Sequence, residues 1–115
     1  MQYLILIYGN ETAMLAAPKE ASSQILAAYV AYTEAIRKAG VLISSNRLRP
    51  TADATTVRMA GGKQSVVNGP FAETKEQLAG YYLIDVPDLD AALSWAARCP
   101  GAQHGAIEVR PVWTM

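Results

Sequence analysis

The sequence predicts an α+β fold of the ferredoxin-like kind, an antiparallel sheet with helices on one face and a hairpin inserted in the middle. Three observations predict it. Strand-like and helix-like segments alternate in the order strand, helix, strand, hairpin, strand, helix, strand. Gly61-Gly62 marks a tight turn between two short β-rich runs in the centre of the chain. Several strands are apolar at consecutive positions, so both of their faces need cover.

The elements follow in order. Residues 2–8 form a strand rich in Ile, Leu and Tyr, ended by Gly9-Asn10. A polar, Ala-rich connection runs to Pro18. Residues 21–39 form a helix, because Ile25, Ala28, Tyr29, Tyr32, Ile36 and Ala39 recur at three-four spacing. Ser22 or Ser23 supplies a cap, Arg37 and Lys38 suit the negative end of the dipole, and Gly40 stops the helix. Val41–Ser45 reads as the second strand, running on toward Leu48 before Pro50 breaks it. Residues 54–60 and Gln64–Val67 are the arms of the inserted hairpin. Ala79–Val86 is the clearest strand. Asp88 then caps a second helix with Leu89, Ala92, Leu93, Ala96 and Cys99 on one face, stopped by Pro100-Gly101. Ala106–Val112 is the last strand.

Composition narrows the function. The 115 residues suffice for one domain with one core. Ten cations balance ten acids, so the chain lacks the basic excess that nucleic acid or an anionic membrane surface requires. The apolar start, Tyr3–Tyr8, is too short to span a bilayer and lacks the basic flank of a signal peptide, and the lone Cys99 suits a reducing compartment; both features place the protein in the cytoplasm. One His and one Cys far apart make no metal-site pattern, and no phosphate-binding loop, dinucleotide fingerprint or nucleophile elbow occurs. No cofactor is expected.

The two-sided strands carry a further expectation. Residues 3–8 and 81–84 do not alternate apolar with polar, so a second layer must cover the face that the helices leave bare. A second copy of the chain, related by a two-fold axis, is the economical cover. In the last strand Glu108 and Arg110 alternate with Ile107 and Val109, which puts a few charges at the margin of one face.

Chemistry-bearing residues cluster around the turn Asn68-Gly69-Pro70-Phe71-Ala72-Glu73. Glycine and proline there impose backbone angles that aim the neighbouring side chains. Asn68 serves either as a turn residue or as a ligand contact; Phe71, the one Phe of the chain, serves as a loop plug or as a pocket wall. Glu73 pairs with Lys75 or acts as the best-placed carboxylate for general-base work. Tyr29 lies on the core face of the first helix, and Arg110 offers polarity to a cleft. His104 and Cys99 read more simply as a loop histidine and a packing thiol.

The residues Ile5-Leu6-Ile7-Tyr8-Gly9, Asn68–Leu78, Gly80-Tyr81-Tyr82-Leu83-Ile84, Trp95–Pro100 and Glu108–Val112 together resemble the YCII-related family, and more narrowly its DGPF-domain branch. The resemblance spans the chain. It implies a dimeric α+β barrel with two sheets facing each other, a fold similar to those of cofactor-independent small-molecule enzymes. It also implies a bacterial setting and, as an alternative role, a regulatory or interaction module in the context of an extracytoplasmic-function sigma factor. Two positions depart from the pattern. Asn68 stands where the branch motif begins with Asp, and Tyr29 where relatives often carry His, so the proton-transfer pair of the wider family is missing. The resulting expectation is a homodimer that binds a small organic ligand through Asn68, Phe71, Glu73, Tyr29 and Arg110, with Glu73 and Tyr29 as the candidate catalytic groups.

Overall fold

The structure, a computed structural model, describes residues 1–114. Its main sheet holds β1 (Gln2–Gly9), β2 (Leu42–Arg47), β5 (Gln77–Asp85) and β6 (Ala106–Pro111) in the order β2-β5-β1-β6, each strand antiparallel to its neighbours. Two long helices, α2 (Lys19–Lys38) and α3 (Leu89–Arg98), are the crossovers of the two split β-α-β units. Strands β3 (Thr55–Ala60) and β4 (Lys63–Asn68) form a separate two-stranded ribbon. The fold is thus the ferredoxin-like α+β arrangement with an inserted hairpin.

Period-two alternation in β1 decides which face the helices cover. Tyr3, Ile5 and Ile7 are buried, while Leu4, Leu6 and Tyr8 between them are half-buried. The buried set packs with Tyr82 and Ile84 of β5, Tyr32 and Ile36 of α2, and Ala92 and Cys99 at α3. Ring edges lock this layer: Tyr32 meets Tyr82 at 5.2 Å between centroids and Trp95 at 6.4 Å. Gly105, just before β6, lies so close to β1 that a Cβ there would overlap the Tyr8 carbonyl oxygen, so this junction admits glycine alone.

Several local expectations change. The connection after β1 contains a short helix, α1 (Glu11–Ala16), capped by Asn10, whose side chain accepts from the Ala13 N–H at 3.0 Å. Helix α2 begins two residues earlier than its apolar periodicity suggests, and neither Ser22 nor Ser23 caps it; the Ser23 hydroxyl donates to the Lys19 carbonyl inside the first turn. Leu89 and Leu93 of α3 are exposed, because Ala92, Ala96 and Cys99 take the buried stripe. Asp88 does cap α3, accepting from the Ala91 N–H at 2.9 Å.

The β3–β4 ribbon stands apart from this slab. Gly61 and Gly62 at its tip have φ of 57° and 78°, the left-handed pair that a tight two-residue hairpin turn requires. Every ribbon residue except Thr56 is exposed. The radius of gyration is 16.0 Å, against about 13 Å for a compact chain of this length. The overall dimensions are 47 × 44 × 19 Å. A thickness of 19 Å leaves no room for a third layer about 10 Å away, so the ribbon folds over neither face of the slab and extends beside it as an arm.

Candidate functional site

The sheet has a covered face and a bare one, and the register gathers polar side chains at the margins of the bare one. Asn46 of β2 pairs with Tyr81 of β5, Tyr81 with Leu6 of β1, and Leu6 with Glu108 of β6. Ser44, Leu83, Leu4 and Arg110 form the next such row. Each row is polar at its two ends and apolar in the middle. The Asn46 amide donates to the Tyr81 hydroxyl at 2.8 Å, and Arg110 meets the Glu108 carboxylate at 3.2 Å. Strand spacing puts the two polar margins roughly 14 Å apart across an apolar floor. A ring-sized molecule can lie on that floor with its polar edge atoms at the margins.

The residues named from sequence do not converge there. Arg110 alone lies on the bare face. Tyr29 lies on the opposite side of the sheet, under α2, where its hydroxyl accepts from the Cys99 thiol at 3.8 Å and where a Cβ on Gly101 would come within 2.5 Å of it. Asn68 ends β4 opposite Thr55, at the root of the arm, and its side chain makes no hydrogen bond among the described residues. The turn is held instead by Gly69, whose N–H donates to the Ala54 carbonyl at 2.7 Å and whose own carbonyl accepts from the Thr56 hydroxyl at 2.8 Å. Phe71 is 73% exposed and carries the Arg58 guanidinium 4.8 Å above its ring. Glu73 is exposed and pairs with no cation among the described residues. Within one protomer Tyr29 lies in the helix layer, Asn68 and Phe71 at the arm and Arg110 on the bare sheet, while Glu73 lies in the loop from the arm back to β5, beside Thr74, whose carbonyl accepts from the Gln77 side chain.

The helix-side cluster is chemically quiet. The Tyr32 hydroxyl donates to the Trp95 carbonyl at 2.8 Å. Thr33 bridges the Tyr82 hydroxyl, 2.6 Å away, and the Tyr29 carbonyl, 2.8 Å away. Burial pushes the Tyr29, Tyr32 and Tyr82 phenols and the Cys99 thiol above their ordinary ranges. All four hold their protons near neutrality, so the cluster donates hydrogen bonds and supplies no base. His104 and Arg98 border an open groove between α2 and the segment that follows α3, and Tyr32 of the cluster forms part of its wall.

The structure brings forward residues that sequence reasoning missed. Asn46, Tyr81 and Ser44 belong to the bare face only through pairing across three strands. Their individual signal, polar groups at alternate positions of an apolar sheet, becomes visible once the register is known. Glu11 is another. Its carboxylate accepts from both the N–H and the hydroxyl of Thr51, while the Gln77 side chain accepts from the Glu11 N–H at 3.0 Å. That clamp ties α1 to the turn leading into the arm. Among the described residues no group of three His, Cys, Asp or Glu side chains could hold a metal ion. No helix among them is long and apolar enough to cross a membrane.

Comparison with known proteins agrees with this architecture. An uncharacterized protein of Rhizobium meliloti (strain 1021) is 41% identical over 114 residues, covering 97% of this chain and 92% of that protein. Among solved structures, the 5-chloro-2-hydroxyhydroquinone dehydrochlorinase of Burkholderia phenoliruptrix AC1100, in complex with 2,5-dihydroxybenzoquinone, superposes with a TM-score of 0.57. That match covers 99% of this chain and 94% of the enzyme at 14% identity, which is a likeness of fold. A family model for the YCII-related domain matches residues 1–115, and the chain belongs to the YCII-related family.

Proposed function

We propose that the protein binds a small, flat organic molecule on the bare face of its sheet and works as a homodimer in which two such faces enclose the ligand. One observation carries this reading: Asn46–Tyr81–Leu6–Glu108 and Ser44–Leu83–Leu4–Arg110 lie across the sheet as two rows with polar ends and apolar centres. A hydroxylated ring or quinone matches that pattern, and the structural neighbour that carries 2,5-dihydroxybenzoquinone supports the choice of ligand class. Any chemistry there is cofactor-independent. Arg110 and the Asn46 amide donate to oxygen substituents. Glu108 supplies a carboxylate on the face itself, with Glu73 as the second candidate base.

The test is binding of 2,5-dihydroxybenzoquinone, measured by calorimetry on the wild type and on Arg110→Ala and Asn46→Ala. Each substitution should weaken binding about tenfold, the worth of one charge-assisted or buried hydrogen bond. Equal affinity in all three proteins would remove the bare face as the site.

A second reading, a non-catalytic interaction module, draws on a separate observation. Leu26 and Val30 are exposed one turn apart on the outside of α2, away from the sheet. It predicts that Leu26→Asp with Val30→Asp abolishes association with a regulatory protein partner, including a sigma factor, and leaves quinone binding untouched.

A further inference from the structure

The arm exposes an apolar surface that its own protomer does not cover. Register puts Thr55, Val57, Met59, Gln64, Val66 and Asn68 on one side of the ribbon. Val57, Met59 and Val66 are 56%, 66% and 54% exposed. A lone two-stranded ribbon is marginal in water and needs a partner surface to hold it. The slab is too thin for the arm to lie on either of its own faces.

Charge and area identify the partner. Between Thr55 and Lys75 the cations Arg58, Lys63 and Lys75 outnumber the single acid Glu73, so this segment carries +2. The chain as a whole is neutral, so the remaining residues carry −2. Arm and slab are thus opposite in net charge, with Arg58 and Lys63 on the ribbon side opposite Val57, Met59 and Val66, and both present bare apolar surface. A face of four strands, about 19 Å wide and about 20 Å long, covers about 400 Å². A stable interface needs about 800 Å² per partner. A ribbon about 20 Å long and about 10 Å wide, given to the partner and received from it, supplies the difference.

We propose that the β3–β4 arm clasps a second copy of this chain, laying Val57, Met59 and Val66 against that copy's sheet and carrying Phe71 and Glu73 to the margin of its ligand floor. The inference rests on the homodimer of the preceding section. It gives a place to Asn68, Phe71 and Glu73, which make no hydrogen bond or ion pair with Arg110 within a protomer among the described residues: the arm and the loop that follows it supply them in trans. A complete site then holds Leu4, Leu6, Tyr81 and Arg110 from one copy with the Glu73 carboxylate from the other.

The test uses the full chain with a benzophenone photo-crosslinker at position 59, in dimers mixed from light and heavy-isotope protein. Crosslinks should join light to heavy chains and fall in peptides of β1, β5 or β6; links confined to one chain, or no links to those strands, would overturn the clasp. In parallel, Met59→Asp with Val66→Asp should raise the dimer dissociation constant at least 100-fold by analytical ultracentrifugation, with an unchanged far-ultraviolet dichroism spectrum. A change below threefold would also overturn it. If the dimer ignores these substitutions yet still binds 2,5-dihydroxybenzoquinone through Arg110, the clasp fails and the ligand reading stands. A wild-type monomer ends the clasp and the enclosed dimer together.

Discussion

The slab and the arm are built from the same kinds of residue and differ in what holds them. In the slab each strand has at least one paired neighbour and the odd positions of β1 sink into a layer of tyrosines and isoleucines. In the arm the two strands have only each other, and apolar side chains face water on both sides. Val66 and Ile84 are comparable β-branched residues, yet one is half exposed and the other fully buried. Stability in this protein comes from the layer on which a strand lies, and the arm lacks that layer until something supplies it.

The sharpest way to break the comparison is at the glycines. Gly105→Ala places a Cβ against the backbone of β1, which cannot move without parting β1 from β6. The expected cost is about 3 kcal/mol or more by urea unfolding, at the upper end for overpacking. Gly62→Ala in the arm meets no atom within 4 Å and suffers only its φ of 78°, a cost of about 1–2 kcal/mol confined to the ribbon. If Gly62→Ala proves the more damaging of the two for global unfolding, the arm is part of the cooperative core and the comparison collapses.

Truncation of side chains gives the next contrast. Ile84→Ala should lose about 2–5 kcal/mol, because Ile84 is fully buried among Tyr3, Ile36 and Ala92 in the core cluster. Val66→Ala should cost within about 0.5 kcal/mol in the isolated protomer. If a second copy covers the arm as proposed, the same substitution should cost more as protein concentration rises. Melting curves at two concentrations a hundredfold apart decide this.

How far the sequence reveals this molecule follows the same division. The β1 and β5 apolar runs, the Asp88 cap and the Gly61-Gly62 turn are local signals, and local physics suffices to read them. Helix α1 escapes that reading because six residues offer less than two turns of periodicity, and its one strong mark, Asn10, also reads as a strand terminator. The polar-ended rows of the bare face escape for a different reason. The row Asn46–Tyr81–Leu6–Glu108 joins four strands separated by up to a hundred residues, and only sheet order and register align them. Tyr29 is correctly on the core face of its helix, but nothing local says that this core lies on the far side of the sheet from Arg110. The position of the arm is the least legible feature, since no contact with the slab along its length is written into either strand.

Polar contacts of the slab should respond more mildly. Tyr32→Phe removes the hydroxyl that serves the Trp95 carbonyl and should cost about 1 kcal/mol. Asp88→Ala, which strips the cap of α3, should cost about as much. Both effects should be independent of protein concentration, in contrast to Val66→Ala.

The smallest effect concerns protonation, and it distinguishes the helix layer from the arm. Burial raises the Cys99 thiol and the Tyr32 and Tyr82 phenols in the folded state. For an acid whose neutral form is favoured by folding, the stabilisation is complete below the unfolded value, about 8.5 for Cys and about 10 for Tyr, and is lost as pH rises toward the higher folded value. Unfolding free energy should therefore be flat from pH 6 to about 8 and fall above it, more steeply once tyrosines of the unfolded chain ionise. Iodoacetamide should label Cys99 slowly at pH 8, at a rate set by opening of the helix layer, and Ile84→Ala should accelerate labelling while Val66→Ala leaves it unchanged. Equal acceleration by both would mean that arm and slab open as one unit, and the division between them would be only geometric.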